Sequence, residues 1–233
     1  MTLTRPVLCL VTDRRRLGAR IGSLPDARAT TDALLAQVTA AAEAGVGLIQ
    51  VREADLQAGA LVDLVGAIRA RVAPRGTRVV VNDRLDVALA SGADGVHLKS
   101  ASVPVAEALR LAPPGWLIGR SVHSVEEIAR GVAVGADYVI FGSVFPTQSK
   151  TAGWETAGLA GLAAAVQAAA PLPVLGIGGI GVDQAGGVAR TGAAGLAAID
   201  AFLPPVSGIA ETVQEGVRRL RIAFDSTLPP FLT

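Results

Sequence analysis

One cysteine, Cys9, stands in 233 residues, and it lies inside an apolar run. A single thiol permits no intramolecular disulfide, and this one is expected to be an inert core group. No apolar run approaches the ~20 residues that span a bilayer. The N-terminus lacks the charged, apolar and small-residue succession of a secretory signal. A cytoplasmic protein without a membrane partner is therefore expected. Charge of one sign is also missing: 21 basic residues face 20 acidic ones, for a net charge of +1. Nucleic-acid binders usually carry a strong basic excess, so that class is excluded. The 27 glycines and 13 prolines are spread along the chain, which argues against low-complexity disorder.

What the chain does have is apolar content, at 51%, enough to bury a sizeable core. Four segments repeat a pattern: "EAGVGLIQVR", "ASGADGVHLK", "AVGADYVIFG" and "RTGAAGLAAID". Each closes an Ala-rich helical stretch with a glycine (Gly45, Gly92, Gly135, Gly192) and continues as a short apolar run. Glycine suits the left-handed residue that ends a helix. The runs are apolar on both parities, as strands buried on both faces should be. Three further runs, in "APRGTRVVVND", "APPGWLIGRSV" and "APLPVLGIGG", leave a helix through Ala-Pro, with Pro74, Pro113 and Pro171 as the stops. With "PVLCLVTD" at the start, eight strands alternate with helices, and a last helix is expected over 208–222. The pattern predicts a single-domain (β/α)₈ barrel over residues 1–224, with 225–233 as a tail that is either disordered or docked on a neighbour. A doubly wound sheet competes, but no G-x-G-x-x-G follows the first strand.

Barrel chemistry sits at the C-terminal strand ends. In order these carry Asp13, Gln50 and Arg52, Asn82 and Asp83, His97 and Lys99, Ser121 and His123, the "FPTQSK" loop, "GIGG" and Asp200. Gly178 and Gly179 follow the seventh strand, where backbone N–H groups can cradle a phosphate. Ile199 completes that end, while Asp200 would repel an anion and is expected to turn away or cap the next helix. The loop at 145–158 offers Thr147, Ser149 and Lys150 as donors to phosphate or carboxylate. The arginine-rich segment 13–32 lies on the same face and is read first as solvated charge, second as a lid or an anion-steering loop.

"QVRE", "VND", "GVHL", "IGRSVHS", "DYVIFGSVFPTQSK" and "VLGIGGI" together resemble the thiamine phosphate synthase superfamily, from about residue 7 to about 220. Synthases of that superfamily join a pyrimidine diphosphate to a thiazole phosphate with Mg²⁺. Their Q-x-R-x-K grip on the diphosphate is matched by Gln50 and Arg52, but Ala54 stands at the lysine position. Of two metal-binding aspartates, Asp83 matches the first and Ser102 stands at the second. "GRSVHS" (119–124) and "FGSVF" (141–145) instead resemble the TenI-type thiazole tautomerases. That branch implies an isomerase that aromatises a thiazole carboxylate phosphate without a metal or organic cofactor, with His123 as the proton shuttle. Imidazole suits such a shift near neutral pH. His97 occurs at its position in both branches and is expected to be packed and hydrogen-bonded. The tautomerase is the first expectation, a Mg²⁺-dependent synthase using Asp83 the alternative, and a non-catalytic binding barrel the third. A phosphorylated thiazole is the expected small-molecule partner. The sequence is silent on oligomeric state, though barrels of this size often form homodimers.

Overall fold

The computed structural model describes residues 5–24, 26–147, 155–204 and 208–226. Ser149, Lys150 and residues 227–233 of the tail lie outside that set. Eight parallel strands close into a barrel in chain order: β1 (Val7–Val11), β2 (Leu48–Val51), β3 (Arg78–Asn82), β4 (Gly95–Leu98), β5 (Leu117–Val122), β6 (Tyr138–Phe141), β7 (Val174–Ile177) and β8 (Gly195–Ala198). The ring shuts where β1 pairs with β8, with Val7 opposite Gly195 and Cys9 opposite Ala197.

Nine α-helices are described: α1 (Arg14–Ile21), α2 (Ala27–Glu43), α3 (Ala58–Val72), α4 (Leu85–Ala90), α5 (Val105–Leu111), α6 (Val125–Ala129), α7 (Gly158–Ala169), α8 (Val182–Arg190) and α9 (Ile209–Asp225). The four repeat glycines all take positive φ, between 66° and 93°. They reverse the chain from helix to strand, as the repeat predicts. Ala-Pro acts as expected too: α3, α5 and α7 end just before Pro74, Pro113 and Pro171.

Side-chain alternation explains why the strands read as apolar throughout. Val7, Cys9 and Val11 point into the barrel with Leu48, Val80, Tyr138 and Leu175. Leu8 and Leu10 point outward and pack in the layer between sheet and helices. Both faces are dry, so neither parity can be polar. Burial pushes the Cys9 thiol up to about 12, which leaves it a small hydrophobe.

Two boundaries differ from the sequence reading. The segment 13–32 is not a loop of solvated charge but α1, a turn and the start of α2. Asp13 caps α1 by accepting from Arg16 N at 3.0 Å, and Asp26 caps α2 by accepting from the N–H groups of Arg28 and Ala29. Short polar side chains at both N-termini satisfy otherwise orphaned donors. The last helix runs to Asp225, three residues past the expected end, because Phe224 reaches back into the core at 1% exposure. The first tail residue is thus helical.

Candidate active site

A cavity opens at the C-terminal mouth of the barrel, on the side where the strand ends are polar. Its central lobe, about 430 Å³, is lined by Gln50, Arg52, Asn82, His97, Lys99, Ser121, His123, Thr147, Gly178 and Ile199, together with Ser100 and Ser143. A second lobe of about 320 Å³ shares Thr147, Gly178 and Ile199 and adds Gly179, Asp200, Arg16 and Gln184. A side lobe of about 140 Å³ shares Asn82 and Lys99 and reaches Glu53, Asp83 and Arg84. The fold thus brings Gln50, Arg52, Asn82, Asp83, His97, Lys99, Ser121, His123 and Asp200 to one cavity with Thr147 and the Gly178–Gly179 turn, whereas Asp13 is occupied as a helix cap.

The second lobe has the features of an anion site. Gly178 and Gly179 take φ of 101° and 61°, and neither N–H has an acceptor among the described residues. Asp200 neither turns away nor caps a helix; it forms an ion pair with Arg16 of α1, across the lobe. That contact answers the objection a carboxylate raises at this position, since an adjacent guanidinium offsets its charge. Arg16 carried no signal of this role in the sequence beyond its place one turn after the Asp13 cap. Asp200 is nearly half exposed, so its pairing is worth little to folding. Asp200→Ser is expected to tighten inorganic phosphate binding about threefold to fivefold, as one repulsive charge goes, with little change in Tm. Calorimetric titration with phosphate checks it.

In the central lobe, Gln50 is buried and donates Nε2 to Asn82 Oδ1 at 2.9 Å. Its own Oε1 is buried without a partner, an acceptor turned to whatever fills the cavity. The Arg52 side chain is exposed, anchored through its backbone N–H, which donates to Thr12 Oγ1 at 3.0 Å. Its guanidinium makes no ion pair among the described residues.

His97 is packed as expected, at 1% exposure. Its Nε2 lies 2.8 Å from Ser121 Oγ and its Nδ1 3.2 Å from the Tyr138 hydroxyl. Burial, helped by the nearby Arg120 charge, pushes the imidazole down to about 3. It stays neutral, a fixed hydrogen-bonding element. His123 is exposed on the cavity wall, and its Nδ1 donates to the Gly142 carbonyl at 2.6 Å, while its Nε2 has no partner among the described residues.

Asp83 heads the side lobe. It is the single non-glycine residue with positive φ, 68°, among those described. Its carboxylate accepts from the Ser102 hydroxyl and from Lys99 Nζ, the latter at 2.5 Å. Partial burial pushes this carboxyl up, but the bonds and charge of Lys99, Ser102 and Arg84 outweigh it and hold the group below its ordinary value. Among the described residues no cluster of three or more His, Cys, Asp or Glu side chains is arranged to hold a metal ion.

A family profile described as thiamine monophosphate synthase matches residues 24–202. The chain belongs to the thiamine monophosphate synthase family. It is 43% identical over 192 residues to a thiamine-phosphate synthase of Anaeromyxobacter dehalogenans, which covers 82% of this chain and 83% of the relative. A thiamine-phosphate synthase of Chlorobium luteolum is 35% identical over 222 residues, 95% of this chain and 94% of the relative. Among solved structures, a thiamine phosphate pyrophosphorylase of Pyrococcus furiosus superposes with a TM-score of 0.76 at 34% identity, covering 96% of this chain and 97% of that one.

These synthase-named relatives overturn the tautomerase expectation. It rested on Ala54 and Ser102 at two synthase positions and on "GRSVHS" and "FGSVF", and the structure gives the first of these motifs a local purpose independent of any reaction. A Cβ on Gly119 would lie 2.2 Å from the Tyr138 ring and 2.5 Å from His97, so the strand needs glycine there. Ser121 holds His97. Ser124 caps α6 by accepting from Glu127 N at 3.2 Å, and Glu127 returns by accepting from His123 N at 2.7 Å. Such reciprocal capping fixes a strand-to-helix junction. Gly119, Ser121, Ser124 and the His123 backbone thus have a structural use at this junction apart from any reaction.

No described helix is long and apolar enough to cross a membrane.

Proposed function

We propose that this chain is a thiamine-phosphate synthase, joining a pyrimidine that carries a diphosphate to a thiazole that carries a phosphate, with release of inorganic diphosphate. The observation that carries this reading is the divided cavity: two lobes meet at Thr147, Gly178 and Ile199, with cationic side chains beyond each. An intramolecular isomerisation needs one substrate pocket. Joining two phosphorylated rings needs two anion-binding ends that point their reacting atoms at a common centre.

The glycine lobe suits the thiazole phosphate, through the Gly178 and Gly179 N–H groups. The central lobe suits the pyrimidine, with Arg52 and Lys99 toward its diphosphate and the Gln50 Oε1 as an acceptor for a ring amine. In the reaction the carbon–oxygen bond to the diphosphate breaks and a ring-to-ring bond forms at that carbon. The electron pair of the broken bond leaves on the diphosphate, so cations placed at that end act most strongly as charge develops. Holding both rings in line supplies the remainder.

The test is to mix the two substrates with the purified chain and follow diphosphate release and thiamine phosphate formation together. Appearance of both supports the reading; their absence with both substrates bound refutes it. Arg52→Met is expected to raise KM for the pyrimidine diphosphate about tenfold, the worth of one charge-assisted hydrogen bond, while Tm stays within a degree or so. Steady-state kinetics beside a melting curve check it.

A further inference from the structure

The chain has nineteen arginines and only two lysines, and Lys99 is the single lysine among the described residues. It follows β4 directly and lines both the central lobe and the side lobe. Its environment is a closed ring of contacts. The Lys99 backbone N–H donates to Ser102 Oγ at 2.7 Å, the Ser102 hydroxyl donates to one Asp83 oxygen, and the other Asp83 oxygen takes the Lys99 ammonium at 2.5 Å.

That ring bears on the metal that the family resemblance implies. A hard divalent ion seeks carboxylate oxygens and water. Here one carboxylate remains of the two the family pattern calls for. Ser102 at the second position is neutral and acts as a donor to Asp83, so its hydroxyl hydrogen points at the place a cation would take. An ammonium already sits against the remaining oxygen, and a divalent ion brought there would meet like charge. These residues do not fit a resident Mg²⁺.

We propose that the Lys99 ammonium, seated on Asp83 and Ser102, takes the place of that ion and binds the diphosphate of the pyrimidine substrate directly. This rests on the synthase reading and names the group that stabilises its leaving anion. An ammonium has three donors. One lies on Asp83, and the side chain is about half exposed, which leaves the others open to the cavity. As the carbon–oxygen bond breaks, its electron pair passes to the diphosphate and the thiazole ring supplies the pair of the new bond. No proton needs to move, since Lys99 meets the growing charge with hydrogen bonds. Asp83 and Ser102 are positioning residues, holding the ammonium at the mouth of the side lobe.

Inorganic diphosphate is the probe, titrated calorimetrically into the full chain in EDTA and again with Mg²⁺. The wild-type chain is expected to bind it in EDTA, with an affinity that Mg²⁺ changes less than threefold. Lys99→Met weakens binding tenfold or more under both conditions, while Lys99→Arg retains most of it. A second readout needs no diphosphate: Mn²⁺ alone, followed by electron paramagnetic resonance, stays free with the wild type and binds to the Lys99→Ala/Ser102→Asp double variant. Diphosphate binding that requires Mg²⁺ overturns the proposal, as does stoichiometric Mn²⁺ binding by the wild type at submillimolar concentration. Failure of the synthase reading looks different. A chain that binds diphosphate in EDTA yet never forms thiamine phosphate keeps the Lys99 site and loses the reaction.

Discussion

Gly179→Ala is expected to lower kcat/KM for the thiazole phosphate by at least two orders of magnitude. A Cβ at this position would lie 2.3 Å from the Pro146 carbonyl oxygen and 2.8 Å from Phe145 Cβ. The first of these is backbone, which no rotamer change can move aside. That backbone is itself tied to the glycine turn, because Phe145 N donates to the Gly178 carbonyl at 3.0 Å. Relief of the clash therefore separates the loops after β6 and β7 and displaces the N–H donors of Gly178 and Gly179, which line the second lobe. Two hydrogen bonds to a charged group, at roughly 1.5–3 kcal/mol each, account for a loss of ~3 kcal/mol or more. The φ of 61° adds a smaller cost, since non-glycine residues tolerate this region poorly. Gly181→Ala is the control. It has no positive φ, and its Cβ would meet only the flexible end of Gln184 at 3.3 Å. Steady-state kinetics on both variants decide the point: equal KM for the thiazole phosphate in wild type and Gly179→Ala would remove the glycine turn from the anion site.

The contrast between those two glycines shows what the sequence could and could not carry. The barrel was legible because each strand must be apolar on both faces and each helix must be closed, demands that fall on every repeat alike. Polar residues at the C-terminal strand ends were legible for the same reason, as the exceptions in otherwise apolar runs. Gly178 and Gly179 could be placed by their position after the seventh strand. Contacts between distant segments left no such trace. Arg16 and Asp200 are far apart in sequence, and nothing local in either segment announces that they meet. Asp83 and Lys99 each appear at a strand end, but only the closed ring through Ser102 shows that the ammonium rests on the carboxylate. "GRSVHS" misled for the opposite reason. It is a dense local pattern in which Gly119, Ser121, Ser124 and the His123 backbone each serve the junction they build, so its presence is a weak guide to the reaction.

Folding stability is expected to form a plateau between about pH 4.5 and 6.5 and to fall on both sides, because two buried groups work in opposite directions. His97 titrates near 3 in the folded chain against an ordinary 6.5, chiefly through burial. Between those values the unfolded chain holds a proton that the folded chain refuses, so stability drops as pH falls from 6.5 toward 3. Glu53 is 4% exposed, and burial pushes its carboxyl from 4.5 up to about 7 against the pull of Thr12 and Arg14. Between those values the folded chain holds the extra proton, so stability drops as pH rises from 4.5 to 7. At ~1.4 kcal/mol for each pH unit, His97 alone would contribute about 5 kcal/mol and Glu53 alone about 3 kcal/mol. After their cancellation the acid limb from pH 4.5 to 3 amounts to about 2 kcal/mol and the neutral limb from 6.5 to 7 to about 0.7 kcal/mol. Where the windows overlap, one proton taken up by each state cancels in the difference, and the curve is flat. Urea unfolding at half-unit pH intervals measures it. His97→Gln is expected to abolish the acid limb and extend the neutral fall across the former plateau, from pH 4.5 to 7, whereas Glu53→Gln abolishes the neutral limb and extends the acid fall from pH 6.5 to 3. The Gln carbonyl oxygen can accept from the single Arg14 backbone N–H that the two Glu53 oxygens now share at 3.0 and 3.2 Å, so the second variant removes the titration while keeping one of the two contacts. A neutral limb that survives Glu53→Gln would assign it to another group and return Glu53 to an ordinary ionised partner of Arg14.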